Sequence, residues 1–131
     1  MTGILILIAH LFGDYVIQSD WMATRKTSAW VPAIAHGVTY TLPHLIVTQS
    51  PWALLIIGGT HIVIDRYRLA RYVVWLKNHL APRGHRTPPW RECTATGYPP
   101  DRPVWLTTWL MIICDNAIHL SINVAAIALL G

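Results

Sequence analysis

Residues 104–130 read VWLTTWLMIICDNAIHLSINVAAIALL, a long apolar run in which Asp115 and His119 are the only ionisable residues apart from Cys114. An α-helix rises about 1.5 Å per residue, so about 20 apolar residues cross the hydrocarbon core of a bilayer. The run is therefore predicted to be a transmembrane helix. It indicates an all-α membrane fold.

The composition of the chain agrees with this prediction. Of its 131 residues, 53% are hydrophobic and 12% are charged, against about 25% charged residues in soluble domains. The net charge of +4 comes from basic residues at the ends of apolar runs, a placement that suits anionic lipid headgroups. Membrane lipids are thus the expected partners, and nucleic acid is not.

Four apolar segments are predicted to form the spanning helices of one domain over residues 1–131. They cover about 3–20, 30–48, 51–80 and 104–130. Residues 81–103 hold six prolines and two glycines, which predicts a loop without helix. The expected fold is an all-α polytopic membrane protein with four transmembrane helices.

The basic residues predict how these helices are oriented. All ten follow the first helix or the core of the third, which places them on one side: Arg25, Lys26, Arg66, Arg68, Arg71, Lys77, Arg83, Arg86, Arg91 and Arg102. Loops rich in Lys and Arg stay in the cytoplasm. Both termini are therefore predicted to be extracytoplasmic, and the Pro-rich loop cytoplasmic.

Three of the four segments carry a His and an Asp four residues apart, a spacing that puts both side chains on one helix face. The pairs are His10 with Asp14, His61 with Asp65, and Asp115 with His119. Each ionisable group costs about 2.5–3.5 kcal/mol at the centre of a membrane helix, so these groups should face the bundle interior.

The mixed nitrogen and oxygen donors of these pairs suit a divalent metal, zinc first, with manganese or iron as other choices. The predicted ligands are His10, Asp14, His61, Asp65, Asp115 and His119. His36 and Asp14 are the predicted catalytic residues, and Gln18, Tyr40 and Asn116 are expected to support the ligands. Two alternatives stay open, namely polar contacts that only hold helices together and a proton or ion path.

Several polar residues are not assigned to this set. His44, His79 and His85 are expected to lie away from the cluster. Arg25 and Lys26 are interpreted as the solvated end of the first helix.

The polar positions resemble those of the DUF3307 family of bacterial and phage membrane proteins. The resemblance rests on His10-x-x-Gly13-Asp14-Tyr15-x-x-Gln18, Trp21-Met22-Ala23 with Lys26, His36, His61-x-x-x-Asp65 and Asp115-Asn116-x-x-His119. It implies a multi-pass protein of the bacterial inner membrane and names no activity. The chain departs from the family in having Arg66 and Arg68 where a Lys usually follows, Asn116 where Gln is common, and a longer Pro-rich loop. A looser similarity to LexA-binding inner-membrane hydrolases favours hydrolysis by analogy alone.

Two functions follow as hypotheses. The first is a metal-dependent membrane hydrolase acting on a lipid or lipid-linked phosphate or ester. The second is a non-enzymatic membrane protein, of the kind a phage could encode, that binds and modulates a larger host membrane complex.

Overall fold

The computed structural model describes residues 1–82 and 84–131, and Arg83 lies outside the described residues. Every regular element in this described part is helical, which confirms the all-α prediction. The α-helices are α1 (Thr2–Leu11), α2 (Asp20–Arg25), α3 (Trp30–Thr41), α4 (Pro51–Tyr67), α5 (Ala70–His79) and α6 (Val104–Leu130). A π-helical turn, Phe12–Val16, continues α1, and 3₁₀ turns cover Leu42–Ile46 and Trp90–Glu92.

Three of the four predicted helices are interrupted in the structure. The first segment ends in the π-helical turn, and α2 starts anew after Ser19, whose hydroxyl accepts a hydrogen bond from the Met22 amide at 3.4 Å. The second changes to 3₁₀ around Pro43, which has no N–H to donate. The third divides at Arg68, which adopts a left-handed φ of 53°. The fourth matches residues 104–130.

The chain forms two compact units. Unit 1 contains residues 1–67 and 119–131, and unit 2 contains residues 68–118. In unit 2 the Pro-rich loop folds onto α5. Arg71 donates to the Thr94 carbonyl at 2.8 Å, the Trp75 indole donates to the Pro88 carbonyl at 3.0 Å, and the rings of Tyr72 and Trp90 stack.

Unit 1 buries many polar side chains and exposes many apolar ones. Its fully or nearly fully buried residues include five histidines, two aspartates and one asparagine: His10, His36, His44, His61, His119, Asp14, Asp65 and Asn123. Its exposed residues include Leu7, Val38, Leu55, Val63 and Val124. A protein that folds in water shows the reverse distribution.

Among the described residues, α6 is the one helix long and apolar enough to cross a membrane, and Thr2–Val16 is a shorter apolar segment. The length and apolar composition of α6 support membrane association. Four spanning helices remain a proposal.

Candidate metal centre

Four acidic and imidazole side chains from three elements of unit 1 converge. Asp14 comes from the π-helical turn, His36 from α3, and His61 and Asp65 from successive turns of α4. One ligand atom from each lies within 4.8 Å of those of the other three. All four residues are buried. We refer to these four residues as the cluster.

Close approach of the helices makes this convergence possible. A Cβ atom on Gly13 would lie 2.8 Å from the carbonyl oxygen of Tyr40. A Cβ atom on Gly37 would overlap the side chain of Ile62. Without side chains at these two positions, the π-helical turn and α4 can each pack closely against α3.

The spacing of the ligand atoms matches that of a tetrahedral metal site. His36 Nε2 lies 2.9 Å from His61 Nε2, 3.2 Å from Asp14 Oδ1 and 3.3 Å from Asp65 Oδ2. His61 Nε2 lies 3.3 Å from Asp65 Oδ2 and 3.9 Å from Asp14 Oδ1. Four ligands placed about 2.0–2.1 Å from a zinc ion are about 3.3–3.4 Å apart. The donor set of two nitrogens and two oxygens suits Zn²⁺, Mn²⁺ or Fe²⁺.

Lys26 reaches into this cluster from the residue after α2. Its Nζ lies 2.6 Å from Asp65 Oδ2, 3.2 Å from His36 Nε2 and 3.9 Å from Asp14 Oδ1. The side chain is 17% exposed. These contacts show that the interpretation of Lys26 as part of a solvated helix end is wrong. The physical reason is that two buried carboxylates favour a cation between them.

His36 Nε2 has more polar neighbours than hydrogen bonding can use. It lies within 3.3 Å of four of them: His61 Nε2, Asp14 Oδ1, Asp65 Oδ2 and Lys26 Nζ. One imidazole nitrogen either donates or accepts a single hydrogen bond. A single hydrogen bond at Nε2 cannot account for all of these contacts. A metal ion bound by His36, His61, Asp14 and Asp65 would account for the three that do not involve Lys26.

A second layer of buried polar groups lies against the cluster. Tyr40 Oη lies 2.8 Å from His10 Nδ1 and accepts a hydrogen bond from Asn123 Nδ2 at 2.6 Å. Asn123 Nδ2 also lies 3.1 Å from His44 Nε2. These bonds connect α1, α3 and α6 through one phenol group.

The predicted ligands divide between these layers. Asp14, His61 and Asp65 belong to the cluster together with His36. His10 Nε2 lies 4.0 Å from Asp14 Oδ2, and His119 Nε2 lies 3.7 Å from Asp65 Oδ1, which places both rings just outside it.

The predicted supporting residues also have different positions. Tyr40 packs on His61, and the Gln18 side chain donates to the main-chain carbonyl of Asp14 at 2.8 Å. Gln18 thus holds the end of the π-helical turn. Asp115 and Asn116 are half-buried on the part of α6 in unit 2, and their roles stay predictions.

Three residues of this polar interior were not predicted from the sequence: the partly exposed Lys26 and the buried His44 and Asn123. His44 is not one of the four cluster residues, as predicted, but it is fully buried and contacts Asn123 beside Tyr40. A signal existed for two of them. His44 follows Tyr40 by four residues and Asn123 follows His119 by four, so each extends a helix face already identified.

The family described as "Protein of unknown function (DUF3307)" matches residues 3–130, nearly the whole chain. No curated protein and no solved structure matches the chain. The looser similarity to LexA-binding inner-membrane hydrolases therefore has no support from these comparisons.

Proposed function

The chain belongs to the DUF3307 family, and we propose that it is a multi-pass protein of the bacterial inner membrane that binds a divalent metal in the cluster. We propose further that it hydrolyses a phosphate or ester bond of a lipid or lipid-linked substrate. The observation that carries the proposal is the set of five separations, from 2.9 to 3.9 Å, among the ligand atoms of Asp14, His36, His61 and Asp65.

The membrane setting is supported by the reversed polarity of unit 1. Bilayer hydrocarbon solvates its exposed Ile, Leu and Val side chains, whereas buried His and Asp need protein partners. Val104–Leu130 has 27 residues, or about 40 Å of helix, which is long enough to cross the bilayer. The bias of basic residues supports an orientation with both termini outside and the Pro-rich loop in the cytoplasm.

The metal would be held by His36, His61 and Asp65, with Asp14 as the fourth ligand. When bound, such an ion polarises a phosphoryl or carbonyl oxygen and makes a nearby water more acidic. Asp14 would act as the base through Oδ2, the oxygen that is not among these ligand atoms and that lies 4.0 Å from His10 Nε2.

The proposed reaction is a simple hydrolysis. The water oxygen bonds to phosphorus or to the carbonyl carbon, and its proton passes to the Asp14 carboxylate. The bond to the leaving alcohol then breaks, and the alcohol oxygen takes up that proton.

Metal analysis of the detergent-purified protein tests the metal site, and release of phosphate or fatty acid from phospholipid micelles tests turnover. We expect about one zinc, manganese or iron per chain and a large loss of metal in Asp65→Asn, because that change removes a charged ligand. Asp101→Asn is the matched control, since Asp101 is exposed and pairs with Arg102 in unit 2. Metal-free protein, or equal metal in both variants, would contradict the proposal.

One observation favours a second candidate function. Four protein ligands complete a tetrahedral site, and closed sites of this kind are usually structural. The metal would then stabilise a non-enzymatic protein that binds a larger membrane complex. Stoichiometric metal without hydrolysis, together with recovery of a stable partner in a pull-down, is the result that would select this candidate.

A further inference from the structure

We propose that Lys26 is the built-in cation of the metal-free cluster and that a metal ion can bind only by displacing its ammonium group. The inference rests on the proposed metal site. Lys26 Nζ contacts Asp65 Oδ2, His36 Nε2 and Asp14 Oδ1 at 2.6, 3.2 and 3.9 Å. These are three of the four atoms that would coordinate the ion.

The ammonium group of Lys26 and a metal ion exclude each other, because both would bind the lone pair of His36 Nε2 and both are cations. An ammonium group has three donors and no acceptor, so it cannot join a coordination shell as a ligand. When Lys26 donates to His36 Nε2, that nitrogen uses the lone pair with which it would bind a metal. Asp65 Oδ2 has more than one lone pair, so at this atom the exclusion comes from charge repulsion between the ammonium group and the ion.

Charge favours the exchange once a divalent ion arrives. The ammonium offsets one of the two carboxylate charges of Asp14 and Asp65, whereas a divalent ion offsets both. In a buried site, where charges are poorly screened, retaining the ammonium beside the ion would add strong repulsion. The stable arrangement with metal therefore has Lys26 outside the cluster.

Lys26 is also the member that can move. It follows the short helix α2, which has no buried residue, and its side chain is partly exposed. The cluster residues are buried on the π-helical turn, α3 and α4. A lysine side chain has four rotatable methylene links, so it can leave without movement of these elements.

Metal affinity of Lys26→Met tests the inference. We expect this variant to bind Zn²⁺ at least about tenfold more tightly than the unaltered protein, since no ammonium competes for the site. Lys77→Met is the matched control, because Lys77 lies over the ring of Tyr98 in unit 2. Zn²⁺ should raise the melting temperature of Lys26→Met more than that of the control.

Amine labelling of the unaltered protein provides a test that needs no variant. Saturating Zn²⁺ should increase modification of Lys26 several-fold relative to Lys77, as mapped by mass spectrometry. Equal or weaker Zn²⁺ binding by Lys26→Met, or unchanged labelling of Lys26 in metal-loaded protein, would overturn the inference alone. Absence of Zn²⁺ binding by all variants would overturn the proposed metal site as well.

Discussion

The ring of Tyr40 lies nearly parallel to the imidazole of His61, with 3.6 Å between ring centroids and 12° between ring planes. The hydroxyl of the same residue contacts His10 Nδ1 and accepts from Asn123 Nδ2. Tyr40 thus packs against a cluster residue and bonds to α1 and α6. Its side chain fixes where the cluster lies relative to the helices of unit 1.

Tyr40→Phe should lower the free energy of unfolding by about 1–3 kcal/mol, because it removes one hydrogen-bond partner from each of two buried groups. Thermal or denaturant unfolding in detergent measures this change. Tyr98→Phe in the Pro-rich loop is the control and should be nearly neutral. A Tyr40→Phe protein as stable as this control would show that the two hydrogen bonds contribute little.

Gly13→Ala should destabilise unit 1 and weaken metal binding. The new Cβ would lie 2.8 Å from both the Tyr40 carbonyl oxygen and its ring, and backbone atoms cannot rotate away. Overpacking of this kind typically costs about 1–3 kcal/mol. Gly59→Ala, where a Cβ meets nothing within 4 Å, is the matched control. The two variants are compared by melting temperature and zinc content, and similar values for both would contradict the packing argument.

Gly97→Ala should destabilise unit 2 far more than Gly84→Ala. Both glycines have a positive φ, 83° and 91°, so both substitutions carry a backbone cost of about 1 kcal/mol. Only at Gly97 would the Cβ also overlap the Arg71 carbonyl oxygen and lie 2.9 Å from the Trp75 amide nitrogen. Proteolysis within residues 81–103 reports the loss of loop packing. Equal cleavage of the two variants would contradict the prediction that a side chain at position 97 disturbs this packing.

Cys93 should react slowly with iodoacetamide at pH 8 in the folded protein. Burial raises the pKa of the Cys93 thiol, and the charges of Glu92 and Asp101 raise it further. The thiolate is the nucleophile, so a raised pKa lowers its reactive fraction at any pH below that pKa. Alkylation of a Cys114→Ala variant should be several-fold faster in denaturant or at higher pH. Equal alkylation rates in folded and denatured protein would show that the Pro-rich loop does not protect the Cys93 thiol.

Sequence patterns predicted the helices well where composition alone decides them. Residues 104–130 form one helix because no proline or glycine interrupts the run. The break at Arg68 had no such signal, since arginine rarely adopts a left-handed φ and only tertiary contacts, including its bond to the Ala95 carbonyl, hold it there.

Sequence patterns predicted only part of the candidate site, because the rest depends on tertiary structure. The four-residue spacing identified His61 with Asp65 and His10 with Asp14, because it reports on one helix at a time. Which of these pairs supplies direct ligands depends on how closely helices approach, and that distance is set by Gly13 and Gly37 rather than by the polar residues. The contact of Lys26 with the cluster could not be predicted, because the sequence around a lysine after a short helix does not show whether its side chain faces water or a carboxylate.

The hydrogen bond from Asn123 to Tyr40 joins residues 83 positions apart, and it has a consequence for biosynthesis. In the proposed membrane setting, the ribosome has already delivered α1, α3 and α4 to the bilayer before Asn123 and His119 exist. Until α6 is inserted, Tyr40 and Asp65 lack contacts from that helix, and a nascent chain stalled in the loop would present buried polar groups to lipid. Completion of the last helix is therefore the step at which these polar groups gain their last protein partners and become shielded from lipid.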